Sequence, residues 1–279
     1  MKGGFMLRIL SIGIVLAITA STTRTAQAQR APDMATLDRG DGISKFGVDL
    51  GFTSLDTPFY SSALRLELSG QYVLDSGLGF YGALPISRSF GDAPPPSPQA
   101  ATALGNLELG LLFVVSSSPT VSWVFRGGVA LPTADDDVDG VTTNYYAAWP
   151  RITDLALAAP NSIYGRLGIS PLIHVDRVFL RLDLGLDIGD DDNDAADELV
   201  RINVGGGIDL GVVALSLELA NIASLDDFDE DERFLHSLAL TFRFMGEQLQ
   251  PFLTIGAPLD DSTRNAVTFF VAGGIQFAP

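Results

Sequence analysis

Val178-Phe-Leu-Arg-Leu-Asp-Leu-Gly-Leu-Asp-Ile188 sets Val178, Leu180, Leu182, Leu184, Leu186 and Ile188 on one face of an extended chain, with Arg181, Asp183, Gly185 and Asp187 on the other. Successive side chains of a strand point to opposite faces, so a period of two means one apolar and one polar face. Eleven further stretches show this alternation: Ile43–Thr53, Ala63–Val73, Leu78–Arg88, Gly105–Val115, Thr120–Leu131, Ser162–Val175, Leu199–Leu210, Val212–Asn221, Arg233–Met245, Leu249–Ala257 and Ala266–Phe277. The expected outward residues include Phe46, Val48, Leu50 and Phe52 in the first, and Leu64, Leu66, Leu68 and Tyr72 in the second. Val121, Trp123, Phe125, Val129 and Leu131 follow the same rule, as do Phe234, Leu238, Leu240, Phe242 and Phe244, then Val267, Phe269, Val271, Ile275 and Phe277. Most stretches run 9 to 13 residues, the length a tilted strand needs to cross a bilayer and about twice that of an ordinary globular strand.

The connectors fix the topology. Asp75-Ser-Gly77, Ser116-Ser-Ser-Pro119, Asp176-Arg177, Gly211 and Gly246-Glu-Gln248 are tight turns. Between them lie longer segments: Ser54–Ser62, Ser89–Leu104, Pro132–Asn161, Gly189–Glu198, Ile222–Glu232 and Pro258–Asn265. Short and long alternate strictly, as the periplasmic turns and external loops of outer-membrane barrels do. The expected fold is therefore all-β: an up-and-down antiparallel transmembrane barrel of twelve strands, with both termini in the periplasm and the long loops outside. Ten or fourteen strands are the alternative counts. Pro251 and Pro258 bracket the weakest stretch, Pro132–Asn161 has room for a short helix around Ile152–Ala159, and Pro94-Pro-Pro96 with Pro98 stiffens another loop.

The first residues read as an address. Lys2 and Arg8 precede an apolar run from Ile9 to Ala20, and Ala26-Gln27-Ala28 is a small-residue cleavage site. The expected organisation is a signal peptide over 1–28, a short periplasmic segment over 29–42 and a barrel over 43–279. No other segment reaches the length of a transmembrane helix, yet the mean hydropathy is +0.27, which suits a barrel whose outer face meets lipid. The chain has no cysteine, which excludes disulfides and thiolate metal sites. The signal removes three basic residues (Lys2, Arg8 and Arg24) and no acidic one, leaving 14 basic against 34 acidic residues and a net charge of −20. Nucleic acid is disfavoured as a partner, since phosphate needs a basic surface.

Thirteen charged residues fall on inward positions: Asp49, Arg65, Glu67, Glu108, Arg126, Arg166, Arg181, Asp183, Asp187, Arg201, Asp209, Glu218 and Arg243. An arginine facing lipid at mid-depth costs about 2–4 kcal/mol, so these side chains are expected to face the lumen. Two readings follow. In one, mixed charges line a pore and orient a polar or zwitterionic solute; in the other, they pair and seal the barrel. Twelve strands give a diameter of about 24 Å, so side chains would leave only a narrow aperture, which the Pro132–Asn161 loop could narrow further. The acidic loops offer a weaker site. Asp135, Asp137 and Asp139 have the spacing of a calcium loop, with Gly140 in its turn slot, but Tyr146 stands where the closing Glu is needed. Asp190, Asp192 and Asp194 fail in the same way, and Asp226–Glu232 is simply acidic. A solvated acidic surface, with loose cation bridging to lipopolysaccharide as the alternative, covers these loops. The outward aromatics fit interfacial girdles, and Tyr145, Tyr146 and Trp149 fit loop packing. His174 and His236 lie on different strands, and Ser237 faces away from its neighbour His236, so no nucleophile–base pair is expected.

Gly105-Asn-Leu-Glu-Leu-Gly-Leu-Leu-Phe113 resembles a strand of the transporter-like outer-membrane family labelled "MetA-pathway of phenol degradation". Val129-Ala-Leu-Pro-Thr-Ala134 is similar to that family's strand end before a long loop. Gly273-Gly-Ile-Gln-Phe277 resembles the closing signal read by the barrel-assembly machinery, although the chain continues to Ala278-Pro279. The resemblance implies uptake of small, sometimes hydrophobic, molecules, and no binding residue is carried over from it. The resulting expectation is an outer-membrane channel or transporter without cofactor or enzymatic activity, in contact with lipid and lipopolysaccharide and passing a small solute through a narrow charged lumen. A non-conducting structural or surface-contact barrel is the alternative, and a soluble secreted β-protein the third reading.

Overall fold

The computed structural model describes residues 32–92, 96–190, 198–225 and 234–279. The expected signal peptide, Asp192, Asp194 and Asp226–Glu232 lie outside these residues, as do Pro94 and Pro95. Twelve long strands form the wall: β1 (Lys45–Leu55), β2 (Ser62–Val73), β3 (Leu78–Phe90), β5 (Leu107–Ser118), β6 (Val121–Leu131), β7 (Ile163–Val175), β8 (Val178–Asp190), β9 (Glu198–Asp209), β10 (Val213–Ser224), β11 (Phe234–Phe244), β12 (Leu249–Pro258) and β13 (Val267–Phe277). A three-residue strand, β4 (Thr102–Leu104), adds to the rim beside β3. Each long strand pairs antiparallel with its sequence neighbours, and β1 pairs with both β2 and β13, so the ring closes and leaves no open edge among the twelve. This is the expected up-and-down barrel, with strand ends shifted by at most three residues.

The sidedness follows the alternation. Along β8, Val178, Leu180 and Leu184 are exposed, whereas Phe179, Arg181, Asp183 and Asp187 are buried. Val267 departs from it: expected outside, it is only 1% exposed. Phe269 pairs with Ser54 but Val267 with Leu55, so β13 carries one extra residue against β1. Such a bulge reverses the sidedness of what lies beyond it, and Val267 turns inward with Leu55.

The interior is filled from both ends. From the end bearing the tight turns, residues 32–44 run up inside the wall before returning to start β1. Met34 and Leu37 of this segment are fully enclosed. Within the segment expected as a short periplasmic lead-in, most residues from 32 to 42 are buried in the barrel, where their apolar and charged side chains find partners. From the opposite end, the Pro132–Asn161 loop folds in as helix α1 (Val138–Ala147) followed by a 3-10 stretch (Trp149–Leu157), with Trp149, Ile152 and Leu157 fully buried. A second short helix, α2 (Asp261–Arg264), sits in the last loop.

The outward face carries a direct test. Leu217 on β10 is 55% exposed and pairs with Leu240, which is also exposed. Leu217→Arg is expected to destabilise the barrel by about 2–4 kcal/mol in lipid vesicles, measured by urea unfolding. A near-neutral effect would remove lipid from this face.

Candidate functional site: the charged barrel interior

Residues 32–44 form neither helix nor strand, so their backbone carbonyls need partners from elsewhere. Inward arginines supply them. Arg243 Nε donates to Asp33 O at 3.0 Å, Arg126 Nη1 to Arg39 O at 2.6 Å and Arg181 Nη1 to Gly40 O at 2.9 Å. Arg151, on the inward loop, donates to the carbonyls of Ala35 and Leu37. Thr153 Oγ1 donates to Thr36 O at 3.1 Å, while Thr36 gives its own N–H and hydroxyl to Glu218 at 2.7 and 2.8 Å. Gln71 Nε2 holds Asp41.

Carboxylates complete the same network. Near the loop end, Asp154 contacts Arg39 and Arg151 at 2.9 Å each and Arg166 at 3.2 Å. Arg39 also pairs with Glu67, which pairs with Arg65 at 2.6 Å. Arg166 reaches Glu108 at 2.6 Å and Asp187 at 3.2 Å. In the middle, Asp38 pairs with both Arg126 and Arg201, and Arg201 also reaches Asp187 at 2.8 Å. Toward the turns, Arg181 holds Asp183 at 2.7 Å, and Lys45 joins Asp33 and Asp41 at 2.9 and 3.0 Å. Burial pushes the Asp38 carboxyl upward, but Arg126, Arg201 and Arg166 outweigh that and hold it at about 2, below the ordinary 3.8. Against the same effect of burial, Arg39, Arg151, Arg166 and Arg65 keep Asp154 well below its ordinary range.

Of the thirteen residues expected inside, eleven are buried inward positions: Asp49, Arg65, Glu67, Glu108, Arg166, Arg181, Asp183, Asp187, Arg201, Glu218 and Arg243. Arg126 joins them with its side chain 8% exposed. Asp209 does not reach the network; its carboxylate accepts the Gly211 N–H at 2.7 Å and shapes the β9–β10 turn. Among the described residues, the inserted segment and the inward loop occupy the space between these side chains. Two cavities of about 10 Å³ each flank the inserted segment, room for roughly one water apiece. The sequence reading missed the inserted residues Asp33, Asp38, Arg39 and Asp41 and the loop residues Arg151 and Asp154. The signal was present: four charges within nine residues around Met34 and Leu37 before the first strand, and an Arg–Asp pair inside an apolar loop stretch.

The acidic loop has other work. Asp137 caps α1 by accepting the Gly140 N–H at 2.7 Å, Asp135 accepts the Leu104 N–H at 2.8 Å and Asp139 the Gln99 N–H at 2.7 Å. Among the described residues no group of three or more His, Asp or Glu side chains is placed to hold a metal ion, so the calcium spacing of Asp135, Asp137 and Asp139 does not assemble a site. Tyr145 and Tyr146 pack edge to face, and Tyr146 likewise against Tyr60. His174 lies buried beside Phe179 with neither ring nitrogen bonded, and His236 bonds Asn221 at 2.8 Å on the outer face.

No protein-family model and no curated protein matches the sequence. Among solved structures, the fold is similar to that of the COG4313 outer membrane channel from Pseudomonas putida F1, with a TM-score of 0.61 and 14% identity over 87% of this chain and 100% of that one. It is also similar to the KdgM porin, alone and in complex with disordered oligogalacturonate, with a TM-score of 0.52 and 9% identity over 84% of this chain and 99% of that one in both cases. At such identities the likeness carries the fold alone, a closed antiparallel β-barrel.

Two outcomes test the network. Asp154→Asn leaves three arginines short of a buried counter-charge and is expected to cost about 3–5 kcal/mol, whereas Asp209→Asn stays within about 0.5 kcal/mol; urea unfolding compares them. A carboxyl held below its unfolded value stabilises fully above that value and loses its contribution as pH falls through the folded one. With Trp123→Phe leaving Trp149 as the reporter, its emission should hold steady from neutral pH down to the ordinary carboxyl value of 3.8 and shift red only below it. A shift beginning above about pH 5 would contradict the assigned anchor.

Proposed function

We propose that this chain is an outer-membrane channel for small polar solutes, closed in the described state by the segment over residues 32–44 and the inward loop. The observation that carries this reading is the wall itself: arginines and carboxylates in near balance line a barrel filled by two insertions without wall strands of their own, the segment over residues 32–44 and the inward loop. Withdrawing the segment would expose the wall arginines and carboxylates that now hold it. The similarity to channel and porin folds supports the same class of function. In this reading residues 1–28 are a signal peptide, the tight turns and termini face the periplasm, and the acidic loops face outward toward lipopolysaccharide. The barrel-assembly machinery inserts the protein, and the motifs at Gly105–Phe113 and Val129–Ala134 ally it with the phenol-degradation transporter family. Enzymatic activity is not part of the proposal.

A second reading, a sealed structural barrel, is favoured by one specific observation: the cavities beside the inserted segment hold roughly a water each. Planar-bilayer recording separates the two. Deletion of residues 32–42 is expected to turn rare, small openings into steady conductance steps, and Arg181→Glu in that background to move the reversal potential toward cation preference. A folded deletion variant that never conducts establishes the sealed barrel.

A further inference from the structure

One row of the wall is built differently from the rest. Arg126 on β6 lies opposite Gly168 on β7, Gly168 opposite Gly185 on β8, and Gly185 opposite Arg201 on β9. The row therefore reads Arg-Gly-Gly-Arg across four adjacent strands. Three strand spacings put the two arginine Cα atoms about 14 Å apart, and both side chains lean inward over the glycines. A Cβ on Gly168 would sit 3.0 Å from Arg126 Nη2, and one on Gly185 only 2.6 Å from Arg201 Cζ. The glycines thus give the two guanidinium groups a bare backbone floor on which to lie.

What occupies the space between them is the Asp38 carboxylate, one oxygen on Arg126 and the other on Arg201. Its backbone N–H donates to Asp183 Oδ2 at 3.1 Å. Arg201 Nη2 is fixed by Asp187 at 2.8 Å, while Nε of both arginines lacks a hydrogen-bond partner. Asp38 thus presents a carboxylate to two arginines and an adjacent donor to a carboxylate acceptor. It belongs to the inserted segment and not to the wall, so the wall carries the receptor and the segment carries the ligand.

We infer that the Arg126–Gly168–Gly185–Arg201 row is a binding site for a small organic carboxylate with a donor on its β-carbon, such as a β-hydroxy or β-amino acid, the relation in which the Asp38 carboxylate stands to its own N–H, and that Asp38 is its resident occupant. Charge-assisted pairing from two guanidinium groups selects carboxylate over neutral isosteres. Asp183 adds a preference for a donor beside it. A solute of this class competes with Asp38 for the same arginines and, in doing so, loosens the segment that fills the barrel. This assignment rests on the channel reading for the solute's route, but the site is testable without conductance.

Deletion of residues 32–42 vacates the clamp, frees Asp183 and lowers thermal stability in detergent. 3-Hydroxypropionate, as the probe, is expected to raise the unfolding temperature of this variant saturably, by about 3 °C or more, with propionate weaker and 3-hydroxypropionamide or equimolar chloride without effect. Adding Gly185→Ala should abolish the rescue; the strand keeps its place because the displaced atoms are the end of a flexible side chain. Where the deletion variant refolds poorly, refolding yield in 3-hydroxypropionate against 3-hydroxypropionamide gives the same reading. Equal effects of the acid and the amide, or a rescue that survives Gly185→Ala, would overturn the site. Rescue in a variant that never conducts retains the clamp and removes the channel reading.

Discussion

Everything inside this barrel depends on one constraint: a chain without secondary structure has been placed where its peptide groups can reach little water. A buried carbonyl without a partner costs roughly 1–3 kcal/mol, and the inserted segment has a series of them. The wall meets that demand with arginine, whose several donors allow one side chain to serve a carbonyl and a carboxylate together. Arg126 does this with Arg39 O and Asp38, and Arg181 with Gly40 O and Asp183. The inward arginines are the reason the segment can lie there.

The same double service makes the interior cooperative. Asp154 comes from the inward loop, yet its partners lie on the inserted segment, on the loop and on the wall strand β7. The two insertions meet through Arg151, Thr153 and Asp154, so neither is held by the wall alone. Buried ion networks are weak evidence for stability, because desolvation offsets much of their attraction. They are better evidence for a specified arrangement: removing one member leaves charges stranded, whereas exchanging the whole segment for another set of matching groups need not.

The apolar part of the filling is modest. Met34 and Leu37 pack with Trp149, Ile152 and Phe179, and a Cβ on Gly205 of β9 would fall 2.2 Å from the Met34 sulfur. The wall is hollowed at that point to admit a side chain from the segment. Fit of this kind, with carbonyls, carboxylates and one glycine-made recess all matched, argues that segment and wall are complementary surfaces.

The sequence by itself determined the wall. Period-two alternation, strand length and alternating connectors are local properties, and they held in all twelve strands, with Val267 lost only because a bulge inserts one residue and reverses the faces beyond it. The inward charges were legible for the same reason: alternation assigns a face, and lipid excludes charge from the other. What the interior does with those charges was not legible. Asp38 meets Arg126 and Arg201 across 88 and 163 residues of chain, and no periodicity links an irregular segment to positions so far away. The Arg-Gly-Gly-Arg row exists only once register aligns four strands. Only the tertiary structure decided that the lumen is filled, because the filling is made of partners that local pattern cannot pair.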